Sequence, residues 1–416
     1  MAGVATSGRR LPAGGDGGLR PAVAALLAAL LAVLILAGAS ALGLAGCGSQ
    51  SAGSQGGAAT PAEAGRALVT PHMKAAPGWS HVPAPVGWAR VLKEGVIPLS
   101  RRYAIVPMAL AGDGRTLFAT LHSHDWSGVV RIDTQANRFT RIHEFDDRVN
   151  DQAGGCFDGR WLVWTEWNSP WDQTDFTIWS WDSRSGAVRR IGAAIPNGEG
   201  GYWPGSWEDA IDRAGYAAWE QGSGPDSLGQ IHVYDLAKGR DRIVREGHPG
   251  GDVLLLSGDR VAWTESMSRG VKTIVRTATT TTGRLLVTPP ALAGLRGLVG
   301  LVTDGRSIVF TRRFWHAVWW APTLNDSPRE LFKSMHRAYT FGNPLALAGR
   351  YLCFAMQPRT FVADLETGRF CRLPGGGWVI MDEAAMVIMP PNDKKALHLV
   401  TDVIFLPMSR LKGLLP

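Results

Sequence analysis

Cysteine is scarce in this chain, with four residues in 416. Cys47 stands near the N-terminus, and Cys156, Cys353 and Cys371 follow far apart, with no Cys-x-x-Cys spacing. Beyond Cys47 the count is odd, so at least one thiol has no intrachain partner and a disulfide-stapled scaffold is excluded. Lysine is scarce too, at 8 residues against 35 arginines, and no run of basic residues occurs. The net charge of +7 is spread along the chain rather than blocked, which argues against nucleic-acid binding and fits an environment of acidic polymers or anionic headgroups. The G-x-S-x-G, H-E-x-x-H, G-x-x-x-x-G-K-[ST] and G-x-G-x-x-G patterns are all missing, and with them the usual signatures of a serine hydrolase, a zinc protease, a phosphate loop and a dinucleotide fold. No cofactor and no metal are expected. Windows of helical period are absent after the first 47 residues.

What the N-terminus does have is an address. Residues 1–21 carry Arg9, Arg10 and Arg20, and an apolar run follows from Pro21 to Cys47. Within it, Ala22 to Leu36 has the length and flanks of a signal-peptide core. The tetrapeptide Leu44-Ala45-Gly46-Cys47 resembles the lipobox of bacterial lipoproteins: small residues lie extended in a peptidase groove, and the thiol is the acylation point. Residues 1–47 are therefore expected to be a lipoprotein signal peptide. Export follows, with lipid anchoring through Cys47 at the extracytoplasmic face of the cell membrane. Residues 48–66, rich in Gly, Ser and Ala, form a disordered tether. Residues 67–102 are an N-terminal segment, and residues 103–411 hold the repeats.

Those repeats are marked by Phe118, Trp164, Trp219, Trp263, Phe310, Phe354 and, more weakly, Ile388, each placed after a turn such as "FDGRWLVWTE" or "SGDRVAWTES". They recur roughly every forty-five residues, the period of a propeller blade. Within a unit the pattern is β throughout. Gly251 to Val287, for example, gives four short apolar runs separated by turns. The third and fourth runs are joined by "DTQAN", "DSRSG", "DLAKG" and "DLETG". There an Asp caps the turn, and a Gly or Asn four residues later takes the left-handed region. Seven four-stranded antiparallel units close without exposed edges as a seven-bladed β-propeller. "SGDRVAWTES" with its D-x-x-x-G hairpins resembles the TolB-like, WD40-like bacterial β-propellers over about residues 103–411. The resemblance implies the fold and leaves function open. The second-strand aromatics are expected to fill the gaps between blades. For closure, either residues 403–411 give the fourth strand of blade seven, or residues 89–99 give it from the N-terminal side. The second is favoured, because an interlocked ring resists opening.

Propeller geometry places second-to-third and blade-to-blade connections on one face, and here those are the long, irregular ones. Trp126, Trp167, Trp171, Trp203 and Trp207 lie among them, together with Glu166, Glu220 and Glu265. Flat rings stack on sugars and carboxylates accept their hydroxyls, so this face is a candidate platform for an envelope glycan or a protein partner. Arg312, Arg313 and Arg337, set among aromatics, suit anionic groups. Tryptophans that merely pin their loops, and arginines on a solvated rim, are the competing explanation. The pair His122 and His124 has metal-like spacing but no third ligand. No catalytic residue is assigned. The expectation is a membrane-anchored binding module. The alternatives are a glycan-active lyase or hydrolase on the same face, and a structural scaffold of the envelope.

Overall fold

The computed structural model describes residues 73–416, apart from 147–150, 169–173, 204–210, 226–227, 258, 267–272, 296–297, 313–315, 336–340, 357–358, 375, 391–401 and 412. The described residues all lie in the compact unit Ala62–Pro416. The lipobox and tether residues fall outside them.

Seven antiparallel sheets follow one another along the chain. Blade 1 runs Ala104–Leu110, Thr116–His122, Ser127–Asp133 and Arg138–Glu144. Blades 2, 3 and 4 repeat this four-stranded meander, and the innermost strand of blade 7, Trp378–Met381, packs against Ala104–Leu110 of blade 1 to close the ring. The chain is a seven-bladed β-propeller. Its departures from a uniform four-stranded ring lie in blades 5, 6 and 7, and a single segment accounts for them. Met73–Ala75 adds an antiparallel fifth strand to the outer edge of blade 5, and Ser80–His81 adds a parallel one to blade 6. A helix, Trp88–Glu94, then buries Trp88 and Val91, and Val96 bridges Ile404 at the free edge of blade 7. Residues 73–103 thus form a strap that laces the outer walls of blades 5, 6 and 7 before entering blade 1.

The strap corrects the expectation of no helix after residue 47. Two turns bracketed by Gly87 and Gly95 are too short to leave a readable period. Gly95 is required by closeness: a Cβ there would lie 2.4 Å from Leu406 Cδ2. Ile404–Pro407 pairs directly with Ala385–Met389 and is the third strand of blade 7. The next position outward is held by residues 95–97 through Ile97 N–H to Val403 O (2.8 Å) and Phe405 N–H to Gly95 O (2.8 Å). Trp88 Nε1 also donates to Leu414 O at 2.8 Å, clasping the strap to the C-terminal segment.

The recurring aromatic, the Arg–Asp pair and the turn glycine each have a physical role. Phe118, Trp164, Trp219, Trp263, Phe310, Phe354 and Ile388 are at most 2% exposed and fill the space between blades. Several stack on the residue directly opposite on the third strand: Trp164 on Trp179 (15° between rings), Trp219 on His232 (7°), Phe310 on Trp319 (3°) and Phe354 on Phe361 (16°). In blades 1 and 4 an arginine, Arg131 or Arg276, stands opposite instead. In blades 1, 2 and 6 the Arg after the first turn pairs with the Asp that opens the third-to-fourth turn. Arg160 Nε and Nη2 reach Asp182 at 3.0 and 2.8 Å, Arg115 Nε reaches Asp133 at 2.9 Å, and Arg350 Nη2 reaches Asp364 at 2.7 Å. The closing residues Asn137, Gly186, Gly239, Gly283 and Gly368 all have φ between 49° and 73°. The Asp of the first turn also joins blades. Asp158 Oδ2 accepts from Gly215 N–H of blade 3 (2.6 Å), and Asp382 Oδ2 of blade 7 from Gly112 N–H of blade 1 (3.0 Å).

Candidate functional site

The long-loop face is less free than its composition suggests. Glu166 lies two residues beyond Trp164 on the second strand of blade 2 and is 5% exposed. Its Oε1 accepts from Trp164 Nε1 at 2.7 Å and sits 3.3 Å from His143 Nε2 on the outer strand of blade 1. Glu265 has the same place in blade 4, where Arg245 of blade 3 and Arg276 of its own blade hold it at 2.7 and 2.9 Å. Burial works against its charge, but the hydrogen bonds from both guanidiniums outweigh that and hold the carboxyl below its ordinary value. In blade 3 the matching residue is Gln221, not Glu220. Its Oε1 accepts from Trp219 Nε1 (3.3 Å), and its Nε2 donates to Ala193 O of blade 2 (2.9 Å). One polar side chain, two residues past the tryptophan, therefore staples each of the first three blade interfaces. Glu220 itself is 8% exposed. The three glutamates are spread over successive blades rather than gathered at one point.

The tryptophans divide. Trp126 is 7% exposed and stacks on Phe139, with the Arg141 guanidinium 4.5 Å from its ring centre. Trp167, 8% exposed, packs with Phe176 and Trp219 between blades 2 and 3. Trp203 is half-buried at the base of a small hairpin in which Pro196 bridges Tyr202, and its N–H donates to Ile195 O. Arg312 lies 5.1 Å over Trp319. Trp171, Trp207, Arg313 and Arg337 lie outside the described residues. Among the described residues the tryptophan most open to solvent was not singled out from the sequence: Trp378, 53% exposed, begins the innermost strand of blade 7 on the long-loop side. Gly376 and Gly377, both in the left-handed region, present it. Gly377 has φ +106°, and a Cβ there would lie 1.9 Å from Met389 O. That glycine run was the available signal. Among the described residues no group of three His, Cys, Asp or Glu side chains could hold a metal ion.

The large cleft among the described residues, about 1130 Å³, opens on the opposite face, at the seam between blades 7 and 1. Short turns form its floor: Gly112–Gly114 and Thr134–Gln135 of blade 1, and Glu383–Ala384 of blade 7. Strap residues 94–98 and the short helix Met408–Leu411 form its walls. Glu94, Asp113 and Glu383 give it acidic character, with Arg410 as a cation and Tyr351, Phe405 and Met408 as apolar surface. Asp382, beside Glu383, is a fixed part of the frame. Burial pushes its carboxyl above the ordinary carboxylate value, and its oxygens accept from the N–H groups of Ala384, Ala385 and Gly112. The repeat pattern gives no sign of this cleft, because its walls come from the strap and from the short helix after the last strand of the ring.

No family model matches the chain, and no curated protein matches it in sequence. Among solved structures it is similar to TolB from Acinetobacter baumannii, at 15% identity and TM-score 0.36 over 56% of this chain and 54% of that one. It is also similar to the β-propeller domain of the trilobed protease from Pyrococcus furiosus, at 10% and 0.41 over 60% and 79%. A third is the Listeria monocytogenes EGD-e protein lmo1340, at 7% and 0.44 over 70% and 89%. The ring itself is read from the chain's own strand order.

Proposed function

We propose that this protein is an exported, lipid-anchored binding propeller that holds a partner protein or envelope polymer at the extracytoplasmic face of the membrane. The observation that carries this reading is the 1130 Å³ seam cleft. Its floor and walls are tied together by strap, C-terminal segment and blade turns, so it is held in shape before any ligand arrives. Carboxylates and turn carbonyls make it an acceptor-rich site, suited to amino or hydroxyl donors, and Tyr351, Phe405 and Met408 supply apolar contact. On the long-loop face, Glu166, Glu265 and Trp167 are employed in joining blades, and among the described residues Trp378 and Trp203 offer aromatic surface. The lipobox residues Leu44, Ala45, Gly46 and Cys47 support the anchor.

A photo-crosslinking residue placed at Gln135 in the cleft, or at Glu199 on the long-loop hairpin, tests the choice of face in cells. Crosslinks from Gln135 that disappear with Glu383→Arg support the seam. Crosslinks from Glu199 alone move the site to the long-loop face. Cys47→Ala is expected to release the protein from membranes; retention through an alkaline wash would remove the anchor.

A further inference from the structure

Outside the cleft, the outer walls of the ring are of two kinds. Blades 5, 6 and 7 are covered by the strap. Among the described residues the strap does not cover blades 2 to 4 and reaches blade 1 only at its end, where Leu99 N–H donates to Asn137 Oδ1 (3.1 Å) and Tyr103 packs edge-on against Phe139. The outer strands of these four blades read "RFTRIHE", "VRRIGA", "RDRIVREG" and "LL". Arg138, Arg189, Arg190, Arg240, Arg242 and Arg284 are exposed there, and none makes an ion pair among the described residues. The carboxylates on this wall are fewer, and some are occupied: Asp241 lies against His232 (2.8 Å), Glu246 accepts from Gln230 (3.0 Å), and Glu144 is exposed. Exposed aliphatic side chains are concentrated on the same wall. Ile243 (44%), Leu285 (53%) and Val287 (90%) make up three of the seven large exposed hydrophobics among the described residues. The two blades are in contact here: a Cβ on Gly283 would touch Val244 at 3.5–3.6 Å.

We infer that the outer wall of blades 3 and 4 docks on an anionic lipid bilayer. Guanidiniums suit lipid phosphates bidentately, and aliphatic tips between them reach the acyl boundary, where a polyanion in water would offer them nothing. Adjacent blades of a seven-fold ring diverge by about 50°, so a flat surface meets two of them, and the aliphatic residues sit on such a pair. Arg138, Arg189 and Arg190 on the neighbouring walls add long-range attraction. The consequence for the cleft is orientational: a propeller resting on its side leaves both faces open to partners. The wall acts whether or not Cys47 carries acyl chains.

The test uses the full-length chain with Val287→Cys carrying an environment-sensitive fluorophore. Labelling of protein without the added cysteine is subtracted as background. Vesicles of phosphatidylcholine alone, or with about one-third phosphatidylglycerol, are compared. A blue shift and quenching by lipid-borne quenchers are expected with the anionic vesicles only. The same label at Val86→Cys, on the strapped wall and fully exposed, is expected to stay in water. The triple change Arg240→Glu, Arg242→Glu and Arg284→Glu is expected to weaken vesicle binding by about a hundred-fold. The corresponding glutamine variant, at unchanged melting temperature, is expected to show an intermediate loss. A silent label at position 287, equal signals in neutral vesicles or at position 86, or a glutamine variant that binds like the parent would each overturn the inference. So would an equal shift with soluble polyphosphate, which would assign the wall to an anionic polymer. Cys47→Ala separates this outcome from the anchor: loss of membrane fractionation with a preserved shift at position 287 leaves the wall standing and removes only the tether.

Discussion

Blades 1 to 4 and blades 5 to 7 follow one repeat but hold together by different means. Between the early blades, a polar side chain two residues past the second-strand tryptophan bonds the outer strand of the preceding blade, as Glu166, Gln221 and Glu265 do. Between blades 5 and 6 the seal is phenylalanine: Phe332, Phe341, Phe354, Phe361 and Phe370 share one cluster. The strap then covers the outer edges of that half. A polar staple fixes register at a point and leaves the outer strand bare for contact with solvent or a surface. An apolar seal with an added strand gives more buried area and pairs the outer strand with a short new edge. The half that carries chain closure has the second arrangement, where opening of the ring would begin.

This comparison can be broken in order of expected effect. Trp88→Ala removes a 1% exposed ring and its bond to Leu414 O. It is expected to cost about 3–5 kcal/mol in chemical denaturation and to raise amide exchange in blades 7 and 1 before the others. Uniform loss of protection would mean that the seam is no weaker than any other interface. Glu265→Gln leaves Arg245 and Arg276 without their anion, for an expected loss of about 1–3 kcal/mol; no change would show that the staple is ornamental.

The turn pairs give a pH effect. Hydrogen bonding from Arg115 and Arg160 holds the Asp133 and Asp182 carboxyls far below their ordinary value. A depressed folded value contributes stability that is present above the unfolded carboxylate pKa, near 4, and is lost as pH falls toward the folded value. The melting temperature is expected to drop between about pH 4 and 2, and less steeply in Arg115→Gln with Arg160→Gln. An unchanged acid limb would place the transition on other carboxylates. The smallest effect is chemical. Burial pushes the Cys371 thiol up to about 12 and Cys353 higher still, while Cys156 is half-buried, and none of the three forms a disulfide. Among these thiols, alkylation of the native protein is expected at Cys156 alone, and modification of Cys353 would show that blade 6 opens.

How much of this was legible depended on whether a residue's partner lay within the repeat. The aromatic after each turn, the D-x-x-x-G hairpin and the Arg between them could be read, because each contacts a residue at a fixed offset in the same blade or the next. Glu166 and Glu265 looked like ligand groups because carboxylates near tryptophans have that chemistry in water. Their partners, His143 and Arg245, come from the preceding blade and are not marked by any motif. Trp126 and Trp167 were similarly ambiguous: a loop tryptophan and a packed one have the same letter. The strap was the least legible, since three short pieces of strand and helix carry too few residues for periodicity to show.

The sequence alone determined the period, the strand content, the turn chemistry and the ring, because these follow from local propensity and from the need of each sheet to bury both faces. Tertiary structure decided which polar groups are spent on joining blades and which remain available. It also decided where the cleft forms and which wall stays bare. Those outcomes depend on contacts between residues hundreds of positions apart, such as Trp88 with Leu414 and Gly112 with Asp382, and no local pattern encodes such a distance.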